Sequence, residues 1–172
     1  YRLAVEGRLL LTDARTAELV KLAENAYRDV SIAFANELAN VATTLGIDPW
    51  AAIDLANHHP RVNILNPGPG VGGHCIAVDP WFIVDSAPDD TPLIQAARDV
   101  NDGRPARIAD AVRAAAGERR NVCCLGLAYK ADIDDLRESA SVAVVELLAD
   151  DGFDVSVVEP HIGKLPKPLA GR

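Results

Sequence analysis

The 172-residue sequence contains no methionine and begins at Tyr1, so it is expected to be a piece of a longer protein. It has no excess of basic charge. With 17 Lys and Arg against 25 Asp and Glu, the net charge of −8 argues against nucleic-acid binding through a broad basic surface. A local basic pocket for an anionic ligand stays open. Although 49% of the residues are hydrophobic, no apolar run approaches the roughly 20 residues needed to span a bilayer. No basic segment leading into an apolar one opens the chain, so no signal peptide is legible, and a soluble, cytoplasmic protein without a membrane partner is expected. Cysteine is scarce. Cys75, Cys123 and Cys124 make an odd number without framework spacing, which fits a reducing compartment. His58 and His59 are adjacent, but no second cluster at ligand spacing accompanies them, so no metal is expected. Internal repeats and low-complexity tracts are absent too.

What is present falls into two differently patterned halves. Residues 12–45 run without Pro or Gly, and Leu19, Leu22, Ala23, Ala26, Val30, Ala33, Phe34, Leu38 and Val41 recur at helical spacing. Gly46 reads as the residue that ends this helix, and Asp48-Pro49 restarts one through about residue 58. A glycine-rich loop follows, then a short helix after Asp79. Thr91-Pro92 predicts one long helix, ended by Gly117. Beyond it the pattern predicts a buried strand over 122–127, an amphipathic helix over 138–149 and a second strand over 155–158 after the Asp151-Gly152 turn. That order begins a parallel, Rossmann-like sheet. Two strands are too few for an independent sheet. The Pro-rich, basic tail from Lys164 reads as a loop or frayed end. The fold class is therefore α/β overall, with an all-α part over 1–117 and a partial α/β part over 118–172.

The loop is the most informative stretch. Gly68, Gly70, Gly72 and Gly73, stiffened by Pro67 and Pro69, lead into His74 and Cys75, with Asp79 four residues beyond the thiol. Glycines let other groups approach the backbone closely, and the prolines fix where the thiol is presented. Asp79-Pro80 reads as an N-cap followed by Pro at the first helical position. A thiol just ahead of a helix N-terminus is expected to form thiolate readily, which suits a nucleophile. The plain alternative is a tight loop around a small buried residue. Cys123 and Cys124, inside an apolar run, are expected to pack.

A second constellation lies on the first helix. Lys21, Asn25 and Arg28 stand at i, i+4 and i+7, close to one face. A solvated stripe would explain them, yet Asn25 sits among Leu22, Ala23 and Ala26, where helix propensity gives no reason for Asn. A Lys and an Asn held on a rigid helix can bind a developing oxyanion. Arg61, after His59 and Pro60, reads as an anion donor on a loop.

These residues resemble a known family. Glu18-Leu19-Val20-Lys21, Glu24-Asn25, Asn36-Glu37 and Gly72-Gly73-His74-Cys75 with Asp79 are similar to motifs of the UDP-glucose/GDP-mannose dehydrogenase family. Within it, the stretches around His59 and Asp79 most resemble members acting on UDP-N-acetyl-D-mannosamine. The resemblance covers nearly the whole chain, in three motifs in the right order. It implies an N-terminal NAD-binding domain that this sequence lacks. It also implies a central helical domain that forms a homodimer and the start of a domain that binds the UDP-sugar. The implied activity is a two-step, four-electron oxidation of a sugar C6 alcohol to a carboxylate, serving bacterial surface polysaccharide. Cys75 matches the nucleophile, Lys21 the residue handling the alcohol proton and oxyanions, Asn25 its partner, and Asp79 the carboxylate orienting them. Arg28, His59, Arg61, Gly72, Tyr129 and Lys130 match substrate contacts, with Lys21 and Asn25 also touching substrate. Arg137 matches a residue near the NAD cofactor. The Gly126-Leu127-Ala128 turn lacks the third glycine of a dinucleotide fingerprint. The isolated chain is thus expected to be inactive.

Two rivals remain. A dimerisation or UDP-sugar-binding module needs no activated thiol. A cysteine acyltransferase using His74 or His59 would turn over esters without NAD. UDP-glucose and UDP-N-acetylgalactosamine would use the same catalytic set as UDP-N-acetyl-D-mannosamine.

Overall fold

The computed structural model describes residues 4, 6–163 and 169. Most of the tail that begins at Lys164 lies outside the described residues. The first helix, α1 (Ala14–Thr44), starts where Asp13 accepts the Thr16 N–H at 3.0 Å, the N-cap bond that satisfies an otherwise unpaired donor. It stops at Gly46, whose φ of +70° is the left-handed conformation that favours glycine. Asp48 then caps α2 (Pro49–Asn57) through the Trp50 N–H. Helix α3 (Asp79–Ser86) follows the glycine loop and, with α4 (Pro92–Asp102), packs against α1.

The single long helix expected from Thr91 is two helices. A break at Gly103 separates α4 from α5 (Arg104–Ala116). The cause is Pro105, which has no N–H to give and whose ring would strike the carbonyl four residues back.

Of the residues expected at apolar spacing on α1, the small Ala26 and Ala33 are buried while several of the large ones are exposed. Asn25, Ala26, Asp29, Ala33, Asn36, Ala39 and Ala42 face inward, whereas Leu19, Phe34 and Val41 are 57%, 57% and 48% exposed. Small alanines let α3 and α4 approach closely, and the polar groups between them bond one another except Asp29 Oδ2 and Arg98 Nε, which have no partner among the described residues.

The second half holds β1 (Asn121–Leu125), α6 (Ala140–Asp150) and β2 (Asp154–Val158). The strands pair in parallel, Val122 opposite Val155 and Cys124 opposite Val157. Ser139 caps α6, so the helix begins two residues after the expected start at Glu138, which takes a φ of +51°. Val145, Leu148, Phe153 and Val155 form the core with Ala109 of α5, Leu127 and Leu169. The expectation of a fully buried strand over 122–127 is corrected. Helices cover only one face of this two-stranded sheet, leaving Leu125 79% exposed and Cys123 exposed rather than packed. Cys124 points the other way, and burial pushes its thiol up from the ordinary value. No helix among the described residues is long and apolar enough to cross a membrane.

Candidate active site

Asn25 stands at the edge of the buried face of α1, one turn after Lys21. Its Nδ2 donates to Asp79 Oδ2 at 2.5 Å, and its Oδ1 accepts from Lys21 Nζ at 3.4 Å. The amide is therefore turned by Asp79 so that its oxygen faces the ammonium. Lys21 also reaches Glu24 at 3.4 Å, an exposed pair worth little to stability. Asp79 does not cap α3 as its sequence predicts. It is the first helical residue, Val78 takes the cap position without a side-chain bond, and the Asp79 carboxylate is engaged across the interface by Asn25.

Cys75 is exposed and lies one turn ahead of α3, its carbonyl accepting the N–H groups of Val78 at 3.1 Å and Asp79 at 2.8 Å. Its backbone thus joins the Lys21–Asn25–Asp79 chain. On its other side, the Gly73 N–H donates to the Arg137 carbonyl at 3.0 Å, which ties the loop to the second half. Tyr129 lies on the paired glycines. A Cβ at Gly72 would fall 2.4 Å from Tyr129 Cβ and 2.8 Å from the Glu138 carbonyl, and one at Gly73 would fall 2.7 Å from the Tyr129 ring. The room that these glycines leave is filled by the tyrosine and the loop before α6, not left open.

Arg137 grips Asp135 through Nε and Nη2, and this guanidinium holds the Asp135 carboxyl at about 2. Lys130 is exposed beside Glu159 and His161, where a cavity of about 200 Å³ opens at the strand ends. His59 and Arg61 are exposed on a loop closed by Asn57, whose side chain bonds both the N–H and the carbonyl of Ile64. Arg28 also turns outward. Among the described residues, no hydrogen bond or ion pair joins Arg28, His59, Arg61 or Lys130 to the cysteine set.

Sequence reasoning missed two features. Glu159 accepts the N–H groups of Leu127 at 2.7 Å and Ala128 at 3.1 Å, which lowers its pKa. A carboxylate just past the end of β2 thus takes two N–H groups of the turn after β1. The second is a buried network under α1. Asp29 Oδ1 accepts from Arg98 Nη1 at 2.6 Å and Asn101 Nδ2 at 2.9 Å, with Asp29 0% and Arg98 2% exposed. Asn36 donates to Asn101 Oδ1 at 3.0 Å and accepts the Gly68 N–H at 2.8 Å. Burial pushes the Asp29 carboxyl up against the pull of Arg98. Asp29 and Asn36 follow Asn25 by one and three turns on one face of α1, but spacing alone does not tell a buried polar stripe from a solvated one.

The model of the UDP-glucose/GDP-mannose dehydrogenase family central domain matches residues 15–103, and that of the family's UDP binding domain matches residues 123–171. The chain belongs to the UDP-glucose/GDP-mannose dehydrogenase family. It is 55% identical over 174 residues to an NDP-N-acetyl-D-galactosaminuronic acid dehydrogenase of Ralstonia nicotianae, covering 99% of this chain and 41% of that protein. It is 52% identical to the UDP-N-acetyl-D-mannosamine dehydrogenase of Escherichia coli, covering 99% and 43%. Among solved structures, the UDP-N-acetyl-mannosamine dehydrogenase of S. aureus superposes with a TM-score of 0.84 at 47% identity, over 94% of this chain and 39% of that one. The corresponding enzyme of Pyrococcus horikoshii gives 0.85 at 42% identity, over 94% and 40%. The chain therefore spans about two fifths of the length of these relatives.

Proposed function

We propose that the whole protein is an NAD-dependent UDP-sugar 6-dehydrogenase that oxidises UDP-N-acetyl-D-mannosamine to its uronate. The observation that carries this is the Lys21–Asn25–Asp79 chain with Cys75 bonded one turn before Asp79. When the sugar C6 is an aldehyde, the Cys75 thiolate adds to its carbon, forming the S–C bond and leaving an oxyanion. Lys21 and the free N–H of Asn25 stabilise that oxyanion, and Asp79 holds the amide in place. Loss of hydride from the same carbon gives a thioester. Water then attacks, the C–S bond breaks, and the carboxylate and the thiolate separate. A covalent hold is needed because the aldehyde would otherwise diffuse away between the two oxidations.

NAD accepts the hydride in such reactions, and the Gly126-Leu127-Ala128 turn lacks the third glycine of a dinucleotide fingerprint. In this reading NAD sits in another part of the whole protein with Arg137 at its edge, and the chain alone is inactive. Residues 1–117 form the dimerising and catalytic domain, and 118–172 part of the UDP-sugar domain. Gly72, Tyr129, Lys130 and Arg28 contact the sugar nucleotide, joined by His59 and Arg61 reaching the second subunit's site. The homodimer is supported by Leu19, Phe34, Val41, Trp50 and Leu55, all exposed on α1 and α2. The enzyme works in the cytoplasm, supplying uronate for surface polysaccharide.

A second reading, UDP-N-acetylgalactosamine as substrate, is favoured by the 55% identity to the Ralstonia protein. Incubating the full-length protein with NAD and each UDP-sugar tests both. Two NADH per sugar with UDP-N-acetyl-D-mannosamine supports the first reading, and turnover confined to another UDP-sugar replaces it.

A further inference from the structure

We infer that Asn36 is a positioning residue for Cys75, and that α1 holds the thiol-bearing segment at both ends through two asparagine amides. The inference rests on the function proposed above. Asn25 and Asn36 are 11 residues apart on one helix. At about 100° and 1.5 Å per residue they share a face and stand about 16 Å apart along the axis. Asn25 grips Asp79, four residues after the thiol. Asn36 grips the Gly68 N–H, seven residues before it. One rigid element thus fixes both ends of the segment that carries Cys75, and the Arg104 Nε bond to the Gly68 carbonyl at 2.9 Å clamps the same glycine from α5.

The identity of residue 36 follows from its partners. Its amide must accept from Gly68 and donate to Asn101 Oδ1 at once, which Asn does and neither Asp nor Leu can. Asn36 is 0% exposed, so an unmade bond there is not recovered by water. Asn101 is itself set by Asp29 at 2.9 Å, one turn from Asn25, so the brace closes on α1. A loop freed at Gly68 would let the thiol drift from the aldehyde carbon, and a misplacement near 1 Å costs about 100-fold in a positioned reaction.

The test uses the full-length protein with Asn36→Leu, which keeps the branched shape and heavy-atom count and removes both bonds. Asn101→Ser, one bond farther from the loop, serves as a second variant should the first fail to fold. Ile53→Val, in the buried contact of α2, controls for lost stability. Two readouts are taken: amide hydrogen exchange of the peptide spanning residues 68–75, and NADH per UDP-sugar with semicarbazide present to trap free aldehyde. Asn36→Leu is expected to exchange at least about tenfold faster in that peptide and to release trapped aldehyde, dropping the ratio from two toward one. Asn101→Ser should change both less, and Ile53→Val neither. Two NADH per sugar retained in Asn36→Leu, or equal aldehyde release from Ile53→Val, overturns the inference. If the wild-type protein itself fails to make two NADH, the proposed function falls. Exchange alone then decides the brace.

Discussion

Arg98→Met tests the buried network most sharply. The substitution keeps an aliphatic stem of similar length and removes the guanidinium that faces Asp29 at 2.6 Å. Asp29 is 0% exposed and keeps the Asn101 amide at 2.9 Å, so it is left a buried charge with one strong donor gone. Removing one partner of a buried pair costs about 3–5 kcal/mol, and the surviving amide places this case near 3 kcal/mol. The lost bond from Arg98 to the half-exposed Asp102 adds little. The penalty depends on pH in a fixed direction. A carboxyl raised above its unfolded value binds its proton more tightly when folded, so stability falls as pH rises through the window between the two. Burial already pushes Asp29 up, and without Arg98 only that push remains. The deficit should be full at neutral pH and shrink as pH falls toward the ordinary carboxylate range. Urea unfolding followed through Trp50 and Trp81, both in the helical half, measures it. The double variant Asp29→Leu with Arg98→Met should recover most of the loss, because an apolar pair needs no charge compensation. A loss under about 1 kcal/mol, or a double variant no better than the single, would refute a stabilising pairing here.

In the full-length protein, Cys75→Ser should bind UDP-sugar normally and stall as a covalent adduct, because an ester is cleaved less readily than a thioester; wild-type turnover would remove the nucleophile from Cys75. Lys21→Ala should fold normally yet form NADH about 10²–10³-fold slower in stopped flow, the usual effect of losing a preorganised donor, with Asn25→Ala slowed less. An unchanged rate returns Lys21 to the solvated surface. Gly72→Ala should displace Tyr129 or cost about 1–3 kcal/mol, since the new methyl falls 2.4 Å from Tyr129 Cβ. Unaltered stability together with unaltered UDP-sugar affinity would show that the tyrosine is free to move.

The local signals in the sequence were readable because they act at short range. Asp48 and Gly46 mark their helix ends through their own side chain and backbone, and the strand–helix–strand order beyond residue 120 follows from periodicity. Failures came where a distant partner decides. Asp79 carries every local mark of a cap, yet Asn25, 54 residues away, takes its carboxylate. The apolar spacing on α1 includes the buried Ala26 and Ala33 but also the exposed Leu19, Phe34 and Val41, and it cannot register the buried Asn25, Asp29 and Asn36 between them. Pro105 was a local signal that the 91–116 reading passed over. Residue type and spacing single out Lys21, Asn25 and Cys75, of which Lys21 and Asn25 bond each other and Cys75 lies one turn ahead of α3. They do not single out Asp29 and Arg98, because a charged residue on a helix looks the same whether it meets water or a counter-ion.

The bonds from Asn57 to both backbone groups of Ile64 make residues 58–63 a closed excursion. The clasp itself uses only the Asn57 side chain and the Ile64 backbone, while inside it His59 Nδ1 accepts the Arg61 N–H at 3.2 Å, so the Arg61 side chain can be exchanged without loosening the base of the loop. A loop pinned at its base in this way is a cassette: changes at its tip stay local, and the helix before it and the glycine segment after it keep their places.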